Sequence, residues 1–204
     1  MEQKWVSVEI PVIGRSVLKV RLVGVTPLVV NQFSQRKIDL ILANQQKKPK
    51  QAKEIRDPER DYEESMYRFP DGRHALRAIA FKQAIVQATR YVDKLPSTKV
   101  KGAAFILTEE DGLVEIRGTP HLRRDMVRLA DPGHTADIRF RAEYPEWEAT
   151  IEIEYDPRIL AVGQLLNLIQ HAGLKVGVGE MRPGKTGFDF GRFRIAEAQV
   201  TEMA

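Results

Sequence analysis

The sequence predicts an antiparallel α+β domain, and three observations predict it. Apolar and polar residues alternate in "SVLKVRLVGV", "ADIRFRAEY", "EATIEIEYD" and "FGRFRIAEAQV"; two other segments carry apolar stripes at helical spacing; and their order is strand, helix, strands, helix, strand. That order is the split β-α-β, or ferredoxin-like (RRM-like), arrangement: an antiparallel sheet with two helices on one face, the other face left for binding. With 204 residues, a single domain over 1–204 is expected, carrying residues 35–68 as a long polar insertion after the first strand.

The first strand is expected over Ser16 to Val25, ended by Pro27 in "TPLVVN". Residues 35–68 read as a protruding insertion or mobile loop, with Lys47, Lys48, Lys50 and Lys53 at its centre and Ile38, Leu40, Ile41 and Leu42 as its apolar cluster. From His74 to Lys94, Ala78, Phe81, Ile85, Ala88 and Val92 recur at steps of three and four and predict the first helix. Asp111-Gly112, between the apolar runs of "AAFILTEEDGLVEIRG", predicts a hairpin. "HLRRDMVRLADPGH" is either a phosphate-contacting basic cluster or a short helix, for Leu122, Met126 and Leu129 fall at helical spacing.

The short link "PEW" predicts that 136–144 and 148–155 pair as an antiparallel hairpin with one wet face. In "DPRILAVGQLLNLIQHAGLKVG", Val162, Leu165, Leu166, Ile169 and Ala172 make the second helical stripe. Asp156 is expected to cap this helix, Pro157 to start it and Gly173 to end it. Phe193 and Ile195 then alternate in the closing strand.

Composition narrows the chemistry. The absence of cysteine excludes disulfide scaffolds, thiolate metal sites and cysteine nucleophiles. "MEQKWVSVEIPVIG" has neither a basic n-region nor an apolar h-region, and no segment reaches the roughly 18 apolar residues of a membrane span. A cytoplasmic protein that avoids membranes is expected. A net charge of +4 and a pI near 9.3 favour an anionic partner.

"GVGEMRPGKTGFDFGRFRI", Gly177 to Ile195, concentrates bare backbone and positive charge as no other segment does. Gly177, Gly179, Gly184, Gly187 and Gly191 could let a phosphate approach backbone N–H groups, and Arg182, Lys185, Arg192 and Arg194 could supply the opposing charge. "RPGKTG" lacks the first glycine of a Walker loop, and the segment precedes a strand, unlike a Rossmann fingerprint. The alternative is a surface turn whose glycines satisfy backbone geometry.

A strand running into "GVTPLVV", two amphipathic helices and the C-terminal "GVGEMRPGKTGFDFGRFRI" resemble the repeat-associated mysterious protein (RAMP) superfamily of CRISPR systems, its backbone-subunit branch above all. The resemblance implies a ferredoxin-like fold, polymerisation along a guide RNA, a grip on its phosphates through positive loops, and an inserted thumb. The two end segments also resemble tailed-phage proteins with TPL and GxGxxRP…FGRF segments. Some RAMP relatives cut RNA without metal through a histidine beside the glycine-rich loop.

Among His74, His121, His134 and His171, His74 is the candidate for that role, and it would need a Lys or Tyr nearby. No HxxxH pair supports a metal. Aromatics are 7% of the chain with no RNP-like pair, so phosphate contacts should dominate over base stacking. The expected function is non-catalytic binding of single-stranded RNA or DNA, as a homo-oligomer and with no cofactor, in a prokaryotic or phage-infected cell. Gly177, Gly179, Arg182, Lys185, Gly187, Arg192 and Arg194 would form the main loop, with Lys47, Lys48, Lys50, Lys53, Arg123 and Arg124 adding contacts. The rivals are a phage structural or interaction protein and a metal-independent endoribonuclease.

Overall fold

The computed structural model describes residues 14–46, 55–109, 112–128, 133 and 135–203. β1 (Arg15–Gly24) is a central strand whose period of two sorts its side chains. Leu18, Val20 and Leu22 are fully buried, and Lys19 and Arg21 point the other way. Pro27 breaks the ladder, and β2 (Leu28–Val30) belongs to a different sheet.

Residues 35–68 are not a loop in their described parts. They hold α1 (Gln35–Gln45), α2 (Pro58–Glu63) and the short β3 (Tyr67–Arg68). The Asp57 carboxylate accepts the Glu59 and Arg60 amides and Pro58 fills the first turn, a sequence-local cap that starts α2. Arg36 ties α1 to α2 through Asp61 at 2.9 Å and Glu64 at 3.1 Å. α1 buries no residue, and Ile38, Leu40, Ile41 and Leu42 are 44–48% exposed, which explains why its pattern reads as an insertion. Lys47, Lys48, Lys50 and Lys53 lie outside the described residues.

β4 (His74–Arg77) precedes α3 (Ala78–Ala88), so His74 begins a strand and not the first helix. Ala78, Phe81, Ile85 and Ala88 are buried as their spacing predicts. After α4 (Ser97–Ala103) come β5 (Ala104–Leu107) and β6 (Leu113–Arg117). They do not pair as a hairpin. β5 runs along β9 (Glu148–Tyr155) opposite Tyr155 to Glu152, and β6 continues the same line opposite Ala149 and Glu148. β6 is shared between neighbours: Leu113–Glu115 pair with β4 before Ile116 and Arg117 take up the line along β9.

The segment 121–128 is strand β7 (His121–Arg128), not a helix, and it pairs with β8 (Ala136–Tyr144) along its whole length. β8 and β9 are not a hairpin either. β8 joins the three-stranded sheet β2-β8-β7, and β9 lies inside the larger sheet β10-β1-β9-β6-β4-β3, so the "PEW" link switches sheets. Trp147 of that link is buried and anchors the switch.

α5 (Val162–His171) starts six residues beyond Asp156, with the Gln164 side chain accepting the Ala161 amide at 3.1 Å. A π-turn, Ala172–Val176, follows; Gly173 lies within it, and the positive-φ glycine that ends it is Gly177. α6 (Pro183–Thr186) and β10 (Phe193–Met203) complete the chain. The path β1, α3, β5/β6, β9, α5, β10 with spatial order β10-β1-β9-β5/β6 is the expected β-α-β-β-α-β order, antiparallel throughout. Its core lies between β1 and β9 and the helices α3 and α5, where the Phe81, Trp147 and Phe193 rings meet edge to face. No helix among the described residues is long and apolar enough to cross a membrane.

Candidate nucleic-acid interface

The segments from opposite ends of the chain, "GVTPLVV" and "GVGEMRPGKTGFDFGRFRI", form one interlocked unit. Gly24 is obligatory: a Cβ there would sit 2.3 Å from the Trp147 indole, whose Nε1 donates to the Thr26 carbonyl at 2.9 Å. The Thr26 hydroxyl accepts the Arg192 amide at 3.0 Å and donates to the Asp189 carbonyl. Pro27 and Val29 each offer a carbonyl, to the amides of Gly191 at 2.7 Å and Glu180 at 2.8 Å. Within the loop the Val178 amide reaches the Gly191 carbonyl at 2.9 Å.

These contacts explain the glycines. A Cβ on Gly191 would lie 1.8 Å from the Val178 carbonyl and one on Gly179 2.5 Å from the Val29 carbonyl, and both residues hold φ near +70°. The expected phosphate nest is corrected on this point. The amides of Gly177, Gly187 and Gly191 are donated to Ala172, Pro183 and Pro27, so they do not face an incoming anion. Gly179 and Gly191 allow close approach of the chain to itself, and the amides of Gly177, Gly187 and Gly191 leave an anion there to be met by side chains.

Those side chains differ in freedom. Arg182 donates to the Gly179 carbonyl at 2.8 Å and so braces the loop from within. Lys185 pairs with Glu180 at 3.2 Å. Arg194 is exposed and faces no carboxylate among the described residues, and the Arg192 Nε is buried without a hydrogen-bond partner there. Arg192 and Arg194 line a cleft of about 220 Å³ with Val25, Gln170, Gly173 and Leu174.

Arg123 and Arg124 are neighbours on β7 and therefore project to opposite sides. Arg123 stacks 4.6 Å over Phe190 of the glycine-rich loop while pairing with Asp125 at 2.9 Å and Glu143 at 3.1 Å. It is a brace, not a free cation. Arg124 and Arg128 are exposed with no carboxylate partner among the described residues.

Sequence reasoning missed Arg141, 4% exposed, whose Nη2 meets Asp125 at 2.7 Å and the Met181 sulfur at 3.8 Å. Met181 itself holds φ 52°, an uncommon conformation for a residue with a Cβ. The available signal was Asp125 and Glu143 interleaved with Arg123 and Arg141, charges placed to meet across β7 and β8. Its inward direction could not be read from alternation alone.

The sheet face opposite the helices was expected to be open for binding. It carries Lys19 on Glu152 at 2.8 Å, Arg21 on Glu148 at 3.3 Å, Arg15 on Glu154 at 3.2 Å and Arg117 on Glu148 at 3.8 Å. The hydrogen bond to Glu152 holds the Lys19 ammonium above its ordinary pKa. The cations that β1 and β6 place on this face are already matched, while Arg194, opposite Val23 on β10, shares the face without a carboxylate among the described residues.

His74 packs edge-on against Tyr144 with ring centroids 5.6 Å apart. Burial, helped by Arg68, holds its imidazole below the usual histidine range. Tyr144 is 1% exposed, and burial pushes its phenol far up, so the pair sits in the core wall and does not offer a hydroxyl to a strand in solvent. His121 is exposed on β7, His171 ends α5, and His134 lies outside the described residues. Among the described residues no group of three His, Asp or Glu could hold a metal.

No protein-family model and no curated protein matches the sequence. Among solved structures, the chain is similar to a chain of the Type III-B Cmr-beta bound to cognate target RNA, at TM-score 0.51 and 12% identity over 94% of this chain and 62% of that one. It is also similar to Cmr6 from Pyrococcus furiosus, at TM-score 0.44 and 13% identity over 90% of this chain and 100% of that one. A chain of a CRISPR RNA-guided surveillance complex matches at TM-score 0.38 and 10% identity, over 90% and 68%. The chain thus spans less than two thirds of the first of these, and the likeness to it is one of fold.

Proposed function

We propose that this chain is a ferredoxin-like, RAMP-related protein that binds single-stranded nucleic acid, RNA or DNA, through the sugar-phosphate backbone and without catalysing a reaction. The observation that carries the reading is the contrast in charge pairing. Arg192 at the end of the pinned loop and Arg194 at the start of β10 have no carboxylate partner among the described residues, whereas the cations of β1 are matched to glutamates of β9. Unmatched arginine beside fixed backbone is what a phosphate chain requires. The chain of similar fold belongs to a Type III-B Cmr-beta bound to cognate target RNA, which favours nucleic acid over a purely structural partner.

Arg192, Arg194 and Lys185 contact phosphates in this reading, Arg124 extends the track, and Arg182 and Arg123 hold the loop in shape. Copies of the chain line up along the strand in the cytoplasm. A non-enzyme is favoured because the phenol that His74 packs against, Tyr144, is buried in the core.

The test is fluorescence anisotropy with labelled single-stranded RNA, single-stranded DNA and duplex at several salt concentrations, for wild type and for the triple variant Lys185→Gln, Arg192→Gln, Arg194→Gln. Arg182 is left intact because it braces the loop. Single-strand binding that weakens with salt and falls at least tenfold in the variant supports the reading. Wild-type binding no tighter than about micromolar at physiological salt would refute it.

A further inference from the structure

The cleft between the end of α5 and the start of β10 is not explained by phosphate contact alone. Its arginines come with a carboxamide, Gln170, and with apolar side chains that the fold leaves in water: Val25 and Leu174 are each 53% exposed. Phe193 and Ile195 complete the lining. Gly173 makes this arrangement possible, because a Cβ there would lie 2.1 Å from the Phe193 carbonyl and would push the π-turn off β10. Single π-helical turns of this kind occur often at functional sites.

We propose that this cleft receives one unstacked nucleotide of the bound strand, its base against Val25 and Leu174 with Gln170 at a polar edge, and its phosphate on Arg192 and Arg194. The inference deepens the strand-binding reading and rests on it. At about 220 Å³ the cleft is smaller than the roughly 300–1,000 Å³ of drug-sized ligand sites, and it suits a single base in place of a stacked run. Proteins commonly hold single strands with bases splayed onto aromatic rings or guanidinium planes, and here the exposed aliphatic carbon of Val25 and Leu174 takes that place.

The experiment compares a labelled thymidine 12-mer with a 12-mer of the same sugar-phosphate chain in which every base is absent. Wild type, Leu174→Ser and Val25→Ser are measured; both side chains are half in water, so unchanged thermal unfolding is expected and checked. The expected result is about tenfold weaker binding of the base-free strand by wild type. In either variant the two strands should bind alike, at the base-free level.

A base preference that survives intact in both variants overturns the pocket and places base contacts elsewhere. Equal binding of both strands by wild type also overturns it, while the strand-binding reading stands. If wild type binds neither strand, the strand-binding reading fails, and the pocket with it.

Discussion

Two regions of the molecule are rich in arginine and lysine, and they put them to different use. On the β1–β9 face, Arg15, Lys19 and Arg21 each meet a glutamate across the ladder, and the face is close to neutral. In the glycine-rich segment the charges are divided between bracing and display. Arg182 turns inward, Arg123 stacks on Phe190, and Arg192 and Arg194 have no acidic partner among the described residues. Counting cations along a sequence therefore says little about where an anion will bind; what matters is which cations the fold leaves unmatched.

The contrast can be broken most severely at Gly191. Gly191→Ala places a methyl group 1.8 Å from the Val178 carbonyl at a φ of 68°, so a loss on the order of 4 kcal/mol or more is expected, read as the denaturant midpoint. Strand binding should be lost with the loop's geometry. A near-neutral effect would mean that the loop is not pinned as described.

Asp125→Ala is next. It leaves Arg141 buried without its carboxylate and should cost roughly 3 kcal/mol, and replacing both residues by apolar ones of similar size should recover most of that. Thr26→Val keeps the shape and removes two hydrogen bonds to residues 189 and 192, for an expected loss of about 2 kcal/mol.

The smallest change in stability is expected on the matched face. Glu148→Gln, Glu152→Gln and Glu154→Gln together should shift Tm least of the four, because exposed pairs contribute little. The same triple variant frees Arg15 and Lys19, while Arg21 keeps Glu197 at 3.7 Å, and the salt dependence of single-strand binding should steepen by about 1.4 in log–log slope. An unchanged slope would show that charge matching is not what keeps this face silent.

Much of the fold was legible because faces are written locally. The alternation in 148–155 gives Ala149, Ile151, Ile153 and Tyr155 as the buried set, and all four are buried. Partnership is not written locally. The alternation in 136–144 is equally clear, yet nothing in "PEW" says that Trp147 will dive into the core and send the strands into separate sheets.

The segment at 121–128 misled for a simpler reason. Leu122 and Met126 are four apart, a spacing that both a helix stripe and one side of a strand satisfy. The glycine-rich loop was legible as unusual, but its reason was not. Whether a glycine frees an amide for a ligand or lets two chain segments touch depends on what arrives from far along the chain, here the Pro27 carbonyl on the Gly191 amide.

That distance also bears on how the chain acquires its structure. β1 lies between β9 and β10, and Thr26 is fastened to residues 163 and 166 positions later. During synthesis the first strand emerges with both of its neighbours still unmade, and at roughly 5–20 residues per second it waits on the order of ten seconds or more with its apolar edge unpaired. Closing contacts of such long range makes for slow folding. The central strand is thus made early and completes its ladder late, when β9 and β10 reach it.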